Sequence, residues 1–170
     1  NGSAAMGPFY CSGDQCVYLD LSFFSTMRQQ LGAGGEFANA YVIAHEVGHH
    51  VSNMLGFLGR AHQQMSQLDK AEANKISVRL ELQADYLAGV WGYYEQKTFG
   101  SVSDREIQEA IQCAHQIGDD YLQKSAQGYA VPESFTHGTS AQRMKWFKLG
   151  LTTGDLKRCE TLFTLSESQL

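Results

Sequence analysis

His45-Glu46-Val47-Gly48-His49 is the stretch on which the reading of this chain turns. Residues four apart on a helix share a face, so His45 and His49 can aim two imidazoles at one point. Glu46 then stands beside that point without having to ligate anything, placed to take a proton from a water. Two ligands and a general base in little more than one turn is the donor chemistry of a catalytic zinc site. A pattern of five residues also arises by chance, so its surroundings must carry the argument.

The first requirement is a helix. Phe37, Tyr41, Ala44, Gly48, Val51 and Leu55 recur at three- and four-residue steps, one face of a helical turn sequence. Gly34 and Gly35 precede this run and Gly56 follows it, which predicts a helix from about residue 36 to residue 55.

A catalytic zinc takes three protein ligands and keeps one position open. A third His six residues after His49 is absent, because Leu55 stands there. The best downstream candidate is Glu81-Leu82-Gln83-Ala84-Asp85, in a stretch where Ile76, Leu80, Leu87, Val90 and Tyr94 form an apolar stripe. Glu81 and Asp85 project from one face, and the small Ala84 and Ala88 would let this helix approach Gly48 closely. Glu81 is therefore assigned to the metal. Asp85 is assigned behind it, accepting an N–H from a ligand His to fix its tautomer.

At this point the residues match a known pattern. The run His45-Glu46-Val47-Gly48-His49-His50 together with Glu81-Leu82-Gln83-Ala84-Asp85 looks like the gluzincin-type peptidases. More specifically, A-M-G-P-F-Y-C, V-Y-L-D-L-S-F-F, A-Y-V-I-A-H-E-V-G-H-H-V and H-G-T-S-A-Q-R resemble the bacterial neutral zinc metallopeptidase family. That resemblance runs from residue 5 to about residue 151. It implies a zinc-dependent endopeptidase, distantly similar to the prenyl-protein and heat-shock membrane metallopeptidases. It also implies that His137, in a loop, donates to the developing oxyanion. Arg143 would orient His137 or meet a substrate carboxylate. Members of the family often carry an amino-terminal membrane anchor, so the chain is expected to be an ectodomain fragment of an anchored protein.

Composition agrees with a folded enzyme of one domain over residues 1–170. The chain is 43% hydrophobic and 18% charged. A net charge of −5 without a basic cluster argues against nucleic acid as a partner. No apolar run approaches the length needed to cross a bilayer, and no signal peptide is recognisable. Four Cys permit three pairings. Cys11 and Cys16 flank turn chemistry, so a disulfide-closed hairpin is expected, with Cys113–Cys159 as the second bridge. Such pairing would point to an oxidising compartment, the periplasm or another extracytoplasmic space. A Cys-rich metal site and four unpaired thiols are the rival readings.

Along the chain, strand signals lie in residues 9–20, and residues 16–20 are the candidate edge for an added substrate strand. A helix is read over residues 21–31, and a single long one from about residue 61 to residue 97. Ser103-Asp104-Arg105-Glu106 opens another as a capping box. Residues 128–138 read as a loop, after which Ser140 caps a last helix. Asp119 and Asp120 read as a solvated face, and His50, His62 and His115 as histidines without a site role. The expected architecture is α+β, predominantly α-helical and minigluzincin-like, with a small antiparallel hairpin near the amino terminus. The expected function is zinc-dependent endopeptidase acting on peptides or unfolded protein. The alternative is a zinc-containing but catalytically latent peptide-binding domain.

Overall fold

The computed structural model describes residues 7–31 and 35–170; residues 1–6 and 32–34, including the Gly34 expected at a helix entry, lie outside the described residues, as do the side chains of Gln30 and Leu31. The fold is α+β and mostly helical, with one two-stranded sheet. Strands β1 (Phe9–Cys11) and β2 (Cys16–Tyr18) form an antiparallel hairpin with Tyr10 opposite Val17. Helices α1 (Leu21–Leu31), α2 (Glu36–Met54), α3 (Phe57–Met65), α4 (Lys70–Phe99), α5 (Asp104–Gln116), α6 (Asp119–Gln127) and α7 (Ser140–Thr153) follow. Short 3₁₀ segments at Pro132–Ser134, Leu156–Phe163 and Glu167–Gln169 complete the chain.

Two features of the sequence decide how α2 is placed. Its apolar stripe buries Phe37, Tyr41 and Val42, and the same face carries His45 and Glu46 inward. Gly48 lies where α2 crosses α4: a Cβ there would come within 2.9 Å of the Ala84 carbonyl oxygen. The small pair Gly48 and Ala84 thus lets the two helices approach backbone to backbone, as the sequence predicts. Nearby, the buried Ser52 hydroxyl donates to Gln83 Oε1 at 2.6 Å, and Gln83 Nε2 donates to the Cys159 carbonyl at 3.1 Å. Without these partners a buried amide would be costly.

Helix α4 is the axis of the molecule. Every residue from 82 to 90 is buried, because α2 and α7 pack on it and α3 and the carboxy-terminal 3₁₀ segment cover further faces. The predicted long helix is two elements. The chain breaks at residues 66–69, and Asp69 restarts it by accepting the Glu72 N–H at 3.0 Å. On the other side, α4 meets α7 through Gly89 and Gly150. A Cβ on Gly89 would fall on the Phe147 carbonyl oxygen, and one on Gly150 on the Tyr86 carbonyl oxygen. Those obstacles are backbone, so no rotamer change could relieve them. Helix α7 is capped by Thr139 and not Ser140: Thr139 and Gln142 bond reciprocally as a capping box.

The cysteine reading is corrected. All four are free thiols. Cys11 and Cys16 do face each other across the hairpin, but Asp14 closes its turn. Asp14 accepts the Cys16 N–H at 3.1 Å and the Tyr18 hydroxyl at 2.5 Å, and its carbonyl takes the Cys16 thiol at 3.4 Å. Cys113 and Cys159 belong to separate core clusters, and burial pushes the Cys113 thiol up to about 12. The argument from pairing to an oxidising compartment loses its footing with them. None of the described helices is long and apolar enough to cross a membrane.

The α4–α7 crossing predicts an outcome. Gly89→Ala should destabilise the fold by about 3 kcal/mol, the upper end of overpacking costs, despite alanine's better helix propensity. Denaturant unfolding monitored by circular dichroism measures it; a stabilised variant would show that the crossing has slack.

Candidate metal centre

One turn of α2 and one residue of α4 build the donor group. His45, His49 and Glu81 each offer an atom to a cluster whose members all lie within 4.8 Å of one another. His45 Nε2 is 3.2 Å from His49 Nε2 and 3.1 Å from Glu81 Oε2, while Glu81 Oε1 is 3.4 Å from His49 Nε2. A tetrahedral zinc with bonds of about 2.0–2.1 Å separates its ligand atoms by roughly 3.4 Å, so the edges of this triangle suit the ion. The chemistry of the set, two imidazole nitrogens and one carboxylate, suits it as well.

Behind the donors, the orientation of His45 is fixed. Its Nδ1 meets Asp85 Oδ1 at 2.8 Å, which puts the ring proton there and leaves the Nε2 lone pair for a ligand role. Asp85 is fully buried and also takes the Tyr41 hydroxyl at 2.5 Å and two Arg143 bonds, from Nε at 2.8 Å and Nη2 at 3.0 Å. Burial alone would push the Asp85 carboxyl up, but Arg143 and His45 outweigh it and hold it well below the usual carboxylate range. Arg143 reaches on to the Ile117 carbonyl at 3.2 Å, so it braces α7, α4 and the end of α5.

That placement corrects the role expected of Arg143. It is buried and committed to Asp85, neither orienting His137 nor free to receive a substrate carboxylate. His137 is held by Asp119, a residue read as solvated in the sequence. Asp119 Oδ1 lies 3.2 Å from His137 Nδ1. Its Oδ2 accepts the backbone N–H groups of Thr136, His137 and Gly138 at 2.7, 2.7 and 3.2 Å. The Asp119 hydrogen bond raises the His137 pKa against the effect of burial. Asp120 is structural too, accepting the Ser140 N–H at 2.6 Å. The signal for Asp119 was Gly118-Asp119-Asp120, a turn followed by acids at the start of a helix.

These groups share a cleft of about 540 Å³. It is lined by His45, Glu46, His49 and Glu81, by His137, and by Pro8, Phe9, Tyr10 and Ser12 of the hairpin and its approach. Glu46 is buried yet borders the cleft, with no hydrogen bond from its carboxylate to the described residues. The strand residues that line the cleft, Phe9 and Tyr10, come from β1, and none comes from the 16–20 segment expected to offer the edge.

A mostly helical fold with an H-E-x-x-H helix, a downstream Glu and a cleft above them defines a metallopeptidase-type domain. The family model described as "Putative neutral zinc metallopeptidase" matches residues 1–162, and the chain belongs to that family. The uncharacterized protein YpfJ of Escherichia coli K12 is 52% identical over 160 residues, covering 94% of this chain and 55% of YpfJ. The uncharacterized proteins Mb2605 of Mycobacterium bovis and Rv2575 of Mycobacterium tuberculosis are each 46% identical over 169 residues, covering 94% of this chain and 56% of theirs. The chain thus spans about half the length of the curated relatives it matches. No solved structure matches it significantly.

An ion binding to these donors would compete with a proton on His45. Burial opposes a charged His45 ring, but Asp85 and Glu81 outweigh it and raise the pKa to about 10. A cation on Nε2 must expel that proton, so apparent zinc affinity should rise with pH through neutrality, about tenfold per unit for each proton released. Competition against a chromophoric chelator between about pH 6 and 8 reads this slope. An affinity independent of pH would exclude His45 as a ligand.

Proposed function

We propose that this domain is a zinc-dependent endopeptidase acting on peptides or unfolded protein segments. The observation that carries the reading is Glu46: an unpaired, buried carboxylate at the floor of an open cleft, next to a three-donor metal group. A purely structural site fills all four positions with protein and has no use for such a carboxylate.

His45, His49 and Glu81 would hold the ion. Zinc, when bound, supplies Lewis acidity, lowering the pKa of a water toward about 7 and polarising a carbonyl. The remaining work falls to side chains. Glu46 takes the proton from the water as its oxygen attacks the scissile carbonyl carbon, and then passes that proton to the leaving amine nitrogen as the C–N bond breaks. His137 lines the cleft and is held through Nδ1 by Asp119, which leaves Nε2 as the nitrogen that would donate to the developing oxyanion. A raised His137 pKa favours the protonated ring that can make this donation. The unpaired edge of β1 can receive the substrate as an added strand, which reads main chain and not sequence.

Glu46→Gln should keep about one zinc per chain and lose about 10²–10⁴-fold in cleavage of casein or a quenched peptide. Zinc in both proteins with cleavage in neither would favour the latent peptide-binding reading. His137→Ala should lower kcat by about 10²–10³-fold with zinc retained, and Asp119→Asn by a smaller factor in the same parameter. Steady-state kinetics with metal analysis separates these; an unchanged kcat in His137→Ala would remove it from the mechanism.

A further inference from the structure

The His that follows the second metal donor has a partner of its own. His50 lies one residue beyond His49 and so about 100° round the helix, away from the donor group. Its Nδ1 is 3.1 Å from the Tyr10 hydroxyl of β1, and the rings meet edge-on with centroids 5.4 Å apart. Asn53, nearly a turn further along α2, brings Nδ2 to 3.0 Å from the same hydroxyl. The phenol oxygen accepts from the Asn53 amide, and its own O–H can be given to His50 Nδ1 when that nitrogen is the unprotonated one. The three groups close a chain of donors and acceptors in which every member is half-buried.

This contact stands where the hairpin needs one. Its strands are three residues each, and an isolated two-stranded hairpin is marginal in water. Among the described residues, the Tyr10 hydroxyl makes the hairpin's only side-chain hydrogen bonds to the rest of the molecule. Tyr10 also lines the cleft that holds the metal donors, in a strand that pairs on one side only among the described residues. Helix α2 therefore sets two things at once, through residues a turn apart: where the ion would sit, and where the strand edge stands relative to it.

We propose that Tyr10, His50 and Asn53 form a clamp that holds β1 as the docking edge for an extended peptide main chain, with His50 a positioning residue for substrate and not a metal ligand. The proposal rests on the peptidase reading for its substrate. The clamp itself is a property of the fold and can be measured without catalysis.

Three variants test it on the zinc-loaded protein. Tyr10→Phe removes the hydroxyl and keeps the ring. His50→Leu removes the acceptor, and His50→Asn restores one, since Oδ1 of Asn and Nδ1 of His are both bonded to Cγ. Expected for Tyr10→Phe and His50→Leu are unchanged zinc content, kcat within about twofold, and KM for a quenched peptide raised about five- to tenfold. His50→Asn should return KM close to wild type. In the same proteins, amide hydrogen exchange should quicken in residues 9–18 while α2 and α4 keep their protection. A fall in kcat or loss of zinc with KM unchanged would overturn the proposal, because His50 would then act on the metal centre. Unchanged hairpin exchange in Tyr10→Phe would overturn it as well. Should the wild type cleave no peptide, the peptidase reading fails, and the exchange experiment still decides the clamp.

Discussion

The site depends on one buried carboxylate. Asp85 collects a phenol, an imidazole and a guanidinium in the core, with no solvent to share the load. A buried charge of this kind is tolerable only when it is paired and its hydrogen-bonding capacity is used, and Arg143 supplies both. The result is directional. Asp85 decides which nitrogen of His45 carries the ring proton and thereby which nitrogen can face an ion. Arg143 in turn requires α7 to lie close against α4, which Gly89 and Gly150 permit. Packing, charge and ligand tautomer are therefore one constraint seen at three scales.

A second hub is built on the same plan at the rim. Asp119, at the start of α6, gathers three successive backbone N–H groups and one imidazole, and this shapes the loop before α7. Such an acid does two jobs. It satisfies backbone donors that a loop near a cleft would otherwise leave exposed, and it orients a side chain that lines the cleft. The two carboxylates, 34 positions apart in the chain, orient His45 and His137, which line the same cleft.

Much of the centre was legible in the sequence because its elements are local. His45, Glu46 and His49 occupy one turn, and helix periodicity is enough to place them together. Glu81 and Asp85 could be read because Ala84 opposite Gly48 signals a close helix crossing. The capping box at Ser103 fixed the start of α5 for the same local reason. What escaped lies between elements. The tie of Asp119 to His137 joins a helix start to a loop 18 residues on, and no periodicity records it. Helix α6 escaped because Asp119 is its sole buried residue, which leaves no apolar stripe to detect. The break at residues 66–69 contains neither Gly nor Pro, so residues 61–97 read as one helix. Gly89 and Gly150 let two backbones touch, a role that helix periodicity does not record. The cysteines misled because cross-strand proximity is necessary for a bridge but Asp14 already closes the turn.

The glycine crossing also has a mechanical meaning. Where side chains interdigitate, helices can slide by small rotamer adjustments; where backbone rests on backbone, as at Gly89, Gly150 and Gly48, that compliance is missing. The base of the cleft therefore behaves as a stiff block. Its walls rest on polar contacts instead: the hairpin on the Tyr10 hydroxyl, and the loop bearing His137 on the Asp119 carboxylate, on the Ser77 hydroxyl donated to the Thr136 carbonyl, and on the Asp119 N–H donated to the Gly138 carbonyl. The part of the cleft built on backbone contact is the part that sets the spacing of His45, His49 and Glu81.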